Sequence, residues 1–263
     1  MVSASDPTGE FSARAATSQE SSRDESLVHV QTPRGSGIRE DNGMNSIALH
    51  AHNWRELFRG AVREALAAAS SVAKIGIQET RAWERPMRYI ADDNQGIVGV
   101  VEFRTDGAIA AMSARAPGRA LDCRQTIELA PPRLRESLSL LCELALLQEG
   151  LGVSEVFWTV GESIEGPDTW DEMCRHGAEL FEREVLSDAE WLQVGAAYYG
   201  LRSDVARTAI EVAARAIVDI PILRLSEPEV ALLVPAGSKH KTLALDLLTS
   251  EGMLEVPSII LRE

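Results

Sequence analysis

Glu162, Glu165 and Asp168 fall within one short stretch, directly after the apolar run Val156 to Val160 and just before Trp170. Carboxylates at this spacing could do three things: ligate a hard divalent cation, divide acid and base roles between them, or meet a cationic protein surface. The surrounding sequence favours the third. Between Glu143 and Glu190 there are thirteen Asp or Glu residues against two basic ones, Arg175 and Arg183, so a fifth of the chain carries −11 of the formal net charge of −14. Like charges gathered in this way repel one another and reduce stability, and a positive surface set against them would explain their concentration. The residues expected to form that contact are Glu162, Glu165, Asp168, Trp170, Asp171, Glu172 and Glu179. Trp158 and Trp170 border the acidic turn, where aromatic anchors beside charge have the composition of a binding hot spot. Trp158 also reads as a core residue of its strand. Asp168, Asp171 and Glu172 have a local explanation as well, because acidic residues near a helix N-terminus gain roughly 0.3–1 kcal/mol each from the macrodipole.

Other constellations are incomplete. His50 with His52, and Cys174 with His176, supply four nitrogen or sulfur groups, but structural zinc pairs have more residues between them, so no metal and no cofactor is expected. The segment from Gly166 to Glu184 has a glycine and Glu172 six positions later, yet it misses the register of a Nudix helix: its Arg183-Glu184 pair arrives three residues late. No G-x-S-x-G elbow is present, and Ser154 lies at a strand start rather than at a strand-to-helix turn. Gly35-Ser36-Gly37 follows no strand, and the stretch from Pro235 to Lys241 has a single glycine, so neither is a phosphate loop. An anion could rest at the helix start near Lys239 and Lys241, though solvated lysines in an ordinary loop account for the same residues.

The acidic balance argues against direct nucleic-acid binding, since the densest cationic stretch is only Lys239-His240-Lys241. No run of eighteen apolar residues and no apolar leader core occurs, which points to a cytoplasmic protein with no membrane association. Cys123, Cys142 and Cys174 cannot all pair within one chain and show no CxxC spacing, so buried thiols in a reducing compartment are expected.

The elements that must position these groups follow from periodicity. Residues 1–45, rich in Ser, Asp, Glu, Arg, Thr and Gly, should form a disordered tail; Met44 offers an alternative start that would leave residues 1–43 untranslated. Residues 46–263 should form one globular domain. Trp54, Leu57, Phe58, Ala61, Val62, Ala65 and Leu66 mark a helix capped by Asn53, with Arg55, Glu56, Arg59, Arg63 and Glu64 on its other face. A short strand around Met87 to Ile90, a hairpin of Ile97–Arg104 and Ala108–Arg115 around Asp106-Gly107, a helix opened by Pro131-Pro132 and closed by Gly150, and a strand Val153–Val160 come next. Helices over Thr169–Glu184, Asp188–Tyr199 (with the Ser187/Glu190 capping box) and from Ser203 to Ile217 follow. A second hairpin around Ser226-Glu227-Pro228, a helix Ser238–Ser250 and a strand Val256–Arg262 complete the pattern. The fold class expected is α/β of the α+β kind, a mixed or antiparallel sheet packed against several helices.

The functional expectation is a non-enzymatic binding protein presenting an acidic face to a basic protein partner, in its most natural form a bacterial immunity-type inhibitor of a nucleic-acid-cleaving or otherwise cationic toxin. Two alternatives belong to other classes: a small-molecule enzyme using Glu162, Glu165 and Asp168 with a divalent metal, and a structural protein that self-associates. The oligomeric state is not readable from the sequence.

Overall fold

One long helix, α1 (Trp54–Ile75), organises the molecule because its sequence is apolar or small on nearly every side. In the computed structural model, which describes residues 48–76, 79–85, 87–114, 120–149, 152–216, 223–249 and 254–255, Asn53 caps this helix by accepting a hydrogen bond from the Arg55 backbone N–H. The expected tail over residues 1–45, the Gly150 stop and the final strand Val256–Arg262 lie outside the described residues.

Helix α1 lies across one face of a seven-stranded antiparallel sheet. Its strands are β1 (Ala48–Asn53), β2 (Thr80–Arg85), β3 (Arg88–Asp92), β4 (Ile97–Arg104), β5 (Gly107–Ala114), β6 (Glu155–Val160) and β7 (Ser163–Gly166), in the order β1-β7-β6-β5-β4-β3-β2. The chain thus forms the expected α+β class, and of the mixed or antiparallel sheet expected this one is antiparallel. Strands β2 to β5 are a meander. The β4–β5 hairpin is where the sequence predicts it, but the register Arg104↔Gly107 makes Thr105-Asp106 the turn and puts the glycine in the strand. A Cβ at Gly107 would lie 2.0 Å from Thr159 Oγ1, so the glycine is needed for close strand packing.

Between β5 and β6 the chain leaves the sheet and returns through α2 (Cys123–Leu129) and α3 (Pro132–Glu149), which cover the opposite face. Asp122 caps α2 by accepting from the Arg124 and Gln125 N–H groups. Leu134, Leu138 and Leu141 of α3 bury Val100, Ile109, Ala111, Val156 and Trp158, making a second core separate from the α1 side. On the α1 side, Phe58 packs edge-on against Trp83 and Phe103, and Tyr89 joins them.

After β7 come α4 (Trp170–Arg175), a 3₁₀ turn (Ala178–Phe181), α5 (Asp188–Gln193), α6 (Gly195–Tyr198) and α7 (Ser203–Ala214). The single helix expected over Thr169–Glu184 is therefore broken. Gly177, at φ 120°, ends it and turns the chain toward β5, where a Cβ would meet Met112 at 3.3 Å. The helix expected over Asp188–Tyr199 likewise divides at Val194.

The hairpin expected around Ser226-Glu227-Pro228 is also corrected. A short strand β8 (Leu223–Arg224) is followed by α8 (Glu227–Leu233), whose capping box joins Ser226 and Glu229 and whose first turn holds Pro228. Proline without an N–H suits a helix start as well as a turn, and the S-x-x-E spacing decides between them. Helix α9 (Lys241–Thr249) and β9 (Leu254–Glu255), which pairs in parallel with β8, complete the described chain; α7 and α9 both pack against α1.

Candidate functional site

The acidic segment does not fold onto one surface. Strand register separates its members, because neighbouring residues of a strand point to opposite sheet faces. Glu165 pairs across from Trp158, on the face covered by α2 and α3, and is buried. Trp158 itself is fully enclosed in the second core, so of its two readings the core one holds. Trp170 is half-buried and packs on the ring of Phe157, on the α1 side. Glu162 occupies the two-residue β6–β7 turn beside Gly161 at φ 61°; its carboxylate accepts from Arg55 and from the Asn53 amide, and its carbonyl accepts from the Trp54 N–H. Glu162 thus ties the turn to the start of α1.

Several carboxylates of the segment are likewise engaged in holding the fold. Glu155 is buried and accepts from the Val156 N–H. Asp188 pairs with Arg63, and Glu190 forms the Ser187 capping box, which holds its carboxyl below the usual range. Glu162, Asp188 and Glu190 still face water, each tied to a partner, and a further group of exposed carboxylates forms an edge of its own. Asp171, Glu172, Glu179 and Glu182 are exposed on α4 and the 3₁₀ turn, beside the half-buried Asp168 and Trp170 and the one exposed cation, Arg175. The residues between them, Met173, Ala178, Leu180 and Phe181, are buried and fasten these short elements to the sheet. A capping box in which Thr169 and Glu172 satisfy each other's backbone fixes the first turn of α4.

The sequence reading missed a second ensemble, a buried cluster of charge beneath α1. Helix α1 supplies Glu64, the segment before β2 supplies Glu79, β2 supplies Arg81 and β3 supplies Tyr89; Arg183 and Glu184 follow the 3₁₀ turn, and Trp191, Tyr198 and Tyr199 come from α5, α6 and just beyond. Arg81 donates to Glu184 at 2.7 Å and to the Leu180 carbonyl at 2.6 Å, and Tyr89 donates to the same Glu184 oxygen at 2.9 Å. Arg183 bridges Glu64 at 2.9 Å and Glu79 at 2.5 Å, and its guanidinium lies 4.0 Å from the ring centre of Tyr198. The Tyr199 hydroxyl stands between Glu64 and Glu79, with one hydrogen for two carboxylate oxygens. Gly60 lets this cluster assemble: a Cβ there would lie 1.8 Å from the Glu184 carbonyl oxygen, so only glycine admits that turn against α1.

Three carboxylates here are in direct contact with two guanidiniums, and the buried Arg63 acts on Glu64 and Glu184 from beside them. Burial works to raise the Glu79 carboxyl, but Arg81 and Arg183 outweigh it and hold the group below the usual carboxylate range. Glu184, completely enclosed, goes the other way: loss of water, with Glu64 nearby, pushes it up to about 7 in spite of Arg81. Its second oxygen, Oε2, has no hydrogen-bond partner, and Arg81 engages Oε1 alone. A signal for this cluster exists in the sequence. Arg81 stands two residues before Trp83 on β2 and so shares its face, and Glu64 lies in the buried middle of α1, so both are in phase with the core. Arg63 and Glu64, which periodicity assigns to the polar face of α1, are both buried.

Among the described residues, no group of three or more His, Cys, Asp or Glu is arranged to hold a metal ion. Likewise no described helix is long and apolar enough to cross a membrane. His50 and His52 fall within β1. Cys174 has its thiol pushed up to about 12 by burial and by the Glu182 carboxylate. Of the concavities, one of about 380 Å³ is lined by Arg59, Arg63, Asp188 and Glu190 between α1 and α5. Comparison of the chain with family models, curated proteins and solved structures finds no match.

Proposed function

We propose that this protein is a non-enzymatic binding protein whose acidic edge, α4 and the 3₁₀ turn after it, receives a basic protein partner. One observation carries this reading: Asp171, Glu172, Glu179 and Glu182 are exposed while the apolar residues interleaved with them are buried. The edge is therefore presented on anchored backbone, and a partner need not order it on binding. The edge is narrower than the acidic count of the segment suggests, because Glu165 and Glu184 are buried and the exposed Glu162 and Asp188 are paired with Arg55 and Arg63. Trp170, half-buried beside the edge, supplies an aromatic flank. A nucleic-acid-cleaving toxin, cationic because it grips phosphates, is the kind of partner this edge suits, and an immunity-type inhibitor is the corresponding role.

The test is affinity capture from the native host with the wild-type chain and with the double variant Asp171→Lys/Glu179→Lys, each at low and high salt. A basic protein retained by the wild type at low salt, released at high salt and absent from the variant is the expected outcome. Retention of the same companion by the variant, or at high salt, overturns the proposal.

A further inference from the structure

On the far side of the sheet from the charge cluster, Cys123 at the start of α2 and Cys142 in α3 come together. Both belong to the second core: Cys142 is buried in it at 3% exposure, and Cys123, half-buried, packs against it. Both side chains line one cavity of about 410 Å³, together with Arg124, Ile127, Glu128 and Glu143, and Cys123 lies near enough to act on the Cys142 thiol. Neither is bonded to anything else, and Cys174 lies in α4 after β7, outside this core.

We propose that Cys123 and Cys142 form a reactive dithiol that exchanges with small disulfides of the glutathione class and closes a reversible bridge between α2 and α3. Exposure sets the order of events. Cys123, which the cavity reaches, attacks as thiolate on one sulfur of the incoming disulfide; that S–S bond breaks, and one small thiol leaves with the proton Cys123 gave up. Cys142 then attacks the Cys123 sulfur of the mixed disulfide, its proton going to the second small thiol. The protein loses two hydrogens, and the small disulfide is reduced to two thiols. Burial, followed by the neighbouring Cys123, pushes the Cys142 thiol up to about 12, which keeps it from reacting first. The Cys123 contribution disappears once that sulfur is held in the mixed disulfide.

The experiment treats the full chain with oxidised glutathione, followed by intact-mass measurement, peptide mapping without reduction, and thermal unfolding. The expected product is a chain lighter by two hydrogens and free of glutathione, with Cys123 and Cys142 joined. It should melt roughly 5–10 °C higher, since a bridge closing a loop of this length restricts the unfolded chain, and dithiothreitol should reverse the change. Cys123→Ser should give neither adduct nor bridge, Cys142→Ser should stop at a single glutathione adduct, and Cys174→Ser should bridge like the wild type. Thermal melts under reducing conditions establish that each variant is folded. A stable adduct on the wild type without ring closure, a bridge that includes Cys174, or no reaction at Cys123 in the folded chain overturns the proposal.

Discussion

Glu182 and Glu184 stand two positions apart, and their surroundings have almost nothing in common. Glu182 is exposed at the acidic edge, screened by water and free of any requirement for a cation. Glu184 is at 1% exposure, held by Arg81 and Tyr89, and retains its proton to about pH 7. The same side chain therefore makes a solvated surface charge in one place and part of a sealed network in the other. Local density of acid does not fix where the field of a protein points. The side on which each residue falls does, and so do the arginines that distant segments bring to it: Arg55, Arg63 and Arg81 all precede the acidic segment by many residues, yet pair with Glu162, Asp188 and Glu184.

The largest test of this contrast removes a cation from the sealed side. Arg81→Met strands Glu184 and weakens the hold on Glu79, and a loss of about 3–5 kcal/mol in urea unfolding is expected, as for other buried pairs broken on one side. A loss no greater than that of a surface substitution would mean the cluster is open to water.

The next variant changes how stability responds to pH. The folded value of Glu184, about 7, lies above the ordinary 4.5. Within that window the folded protein keeps a proton that the unfolded chain has released, so the contribution of this group to stability falls as pH rises from 4.5 toward 7 and then levels off. Glu184→Gln removes the titration. Measured by chemical unfolding across the window, the stability of the variant relative to the wild type should increase with pH; a constant difference would assign the retained proton to another group.

Smaller effects belong to the edge. Thr169→Ala deletes the side chain that caps α4 and should cost about 1 kcal/mol, read as a lowered urea midpoint. Smallest of all, the Asp171→Lys/Glu179→Lys variant should unfold within about 0.5 kcal/mol per substitution of the wild type, since both residues are exposed. A larger change would mean that these carboxylates support the fold and do not stand ready for a partner.

Much of the architecture is legible along the chain. The apolar spacing from Trp54 to Leu66, the Asn53 cap, the β4–β5 hairpin, the Pro-opened α3 and the Ser187 capping box are local features, and local backbone chemistry decides them. Four strands, β1, β2, β7 and β9, have no counterpart among the expected elements, the first two for a local reason. In β2, Arg81 shares the core-facing phase with Trp83, and Thr80, Glu84 and Arg85 around them break the apolar pattern that would reveal its burial. In β1, the short run Ala48–Asn53 directly precedes a helix and offers little apolar pattern.

Periodicity along the chain is enough to place helices against a mixed or antiparallel sheet, and composition is enough to place the excess negative charge between residues 143 and 190. Which of those charges are buried, paired or left in water depends on the folded arrangement. A helix or strand forms from interactions a few residues apart, whereas the environment of a carboxylate depends on which sheet face it takes and on which arginine arrives from elsewhere. Glu165 beneath α2 and α3, Glu162 against Arg55 and Glu184 against Arg81 are settled by pairings across tens of residues, which spacing along the chain does not encode.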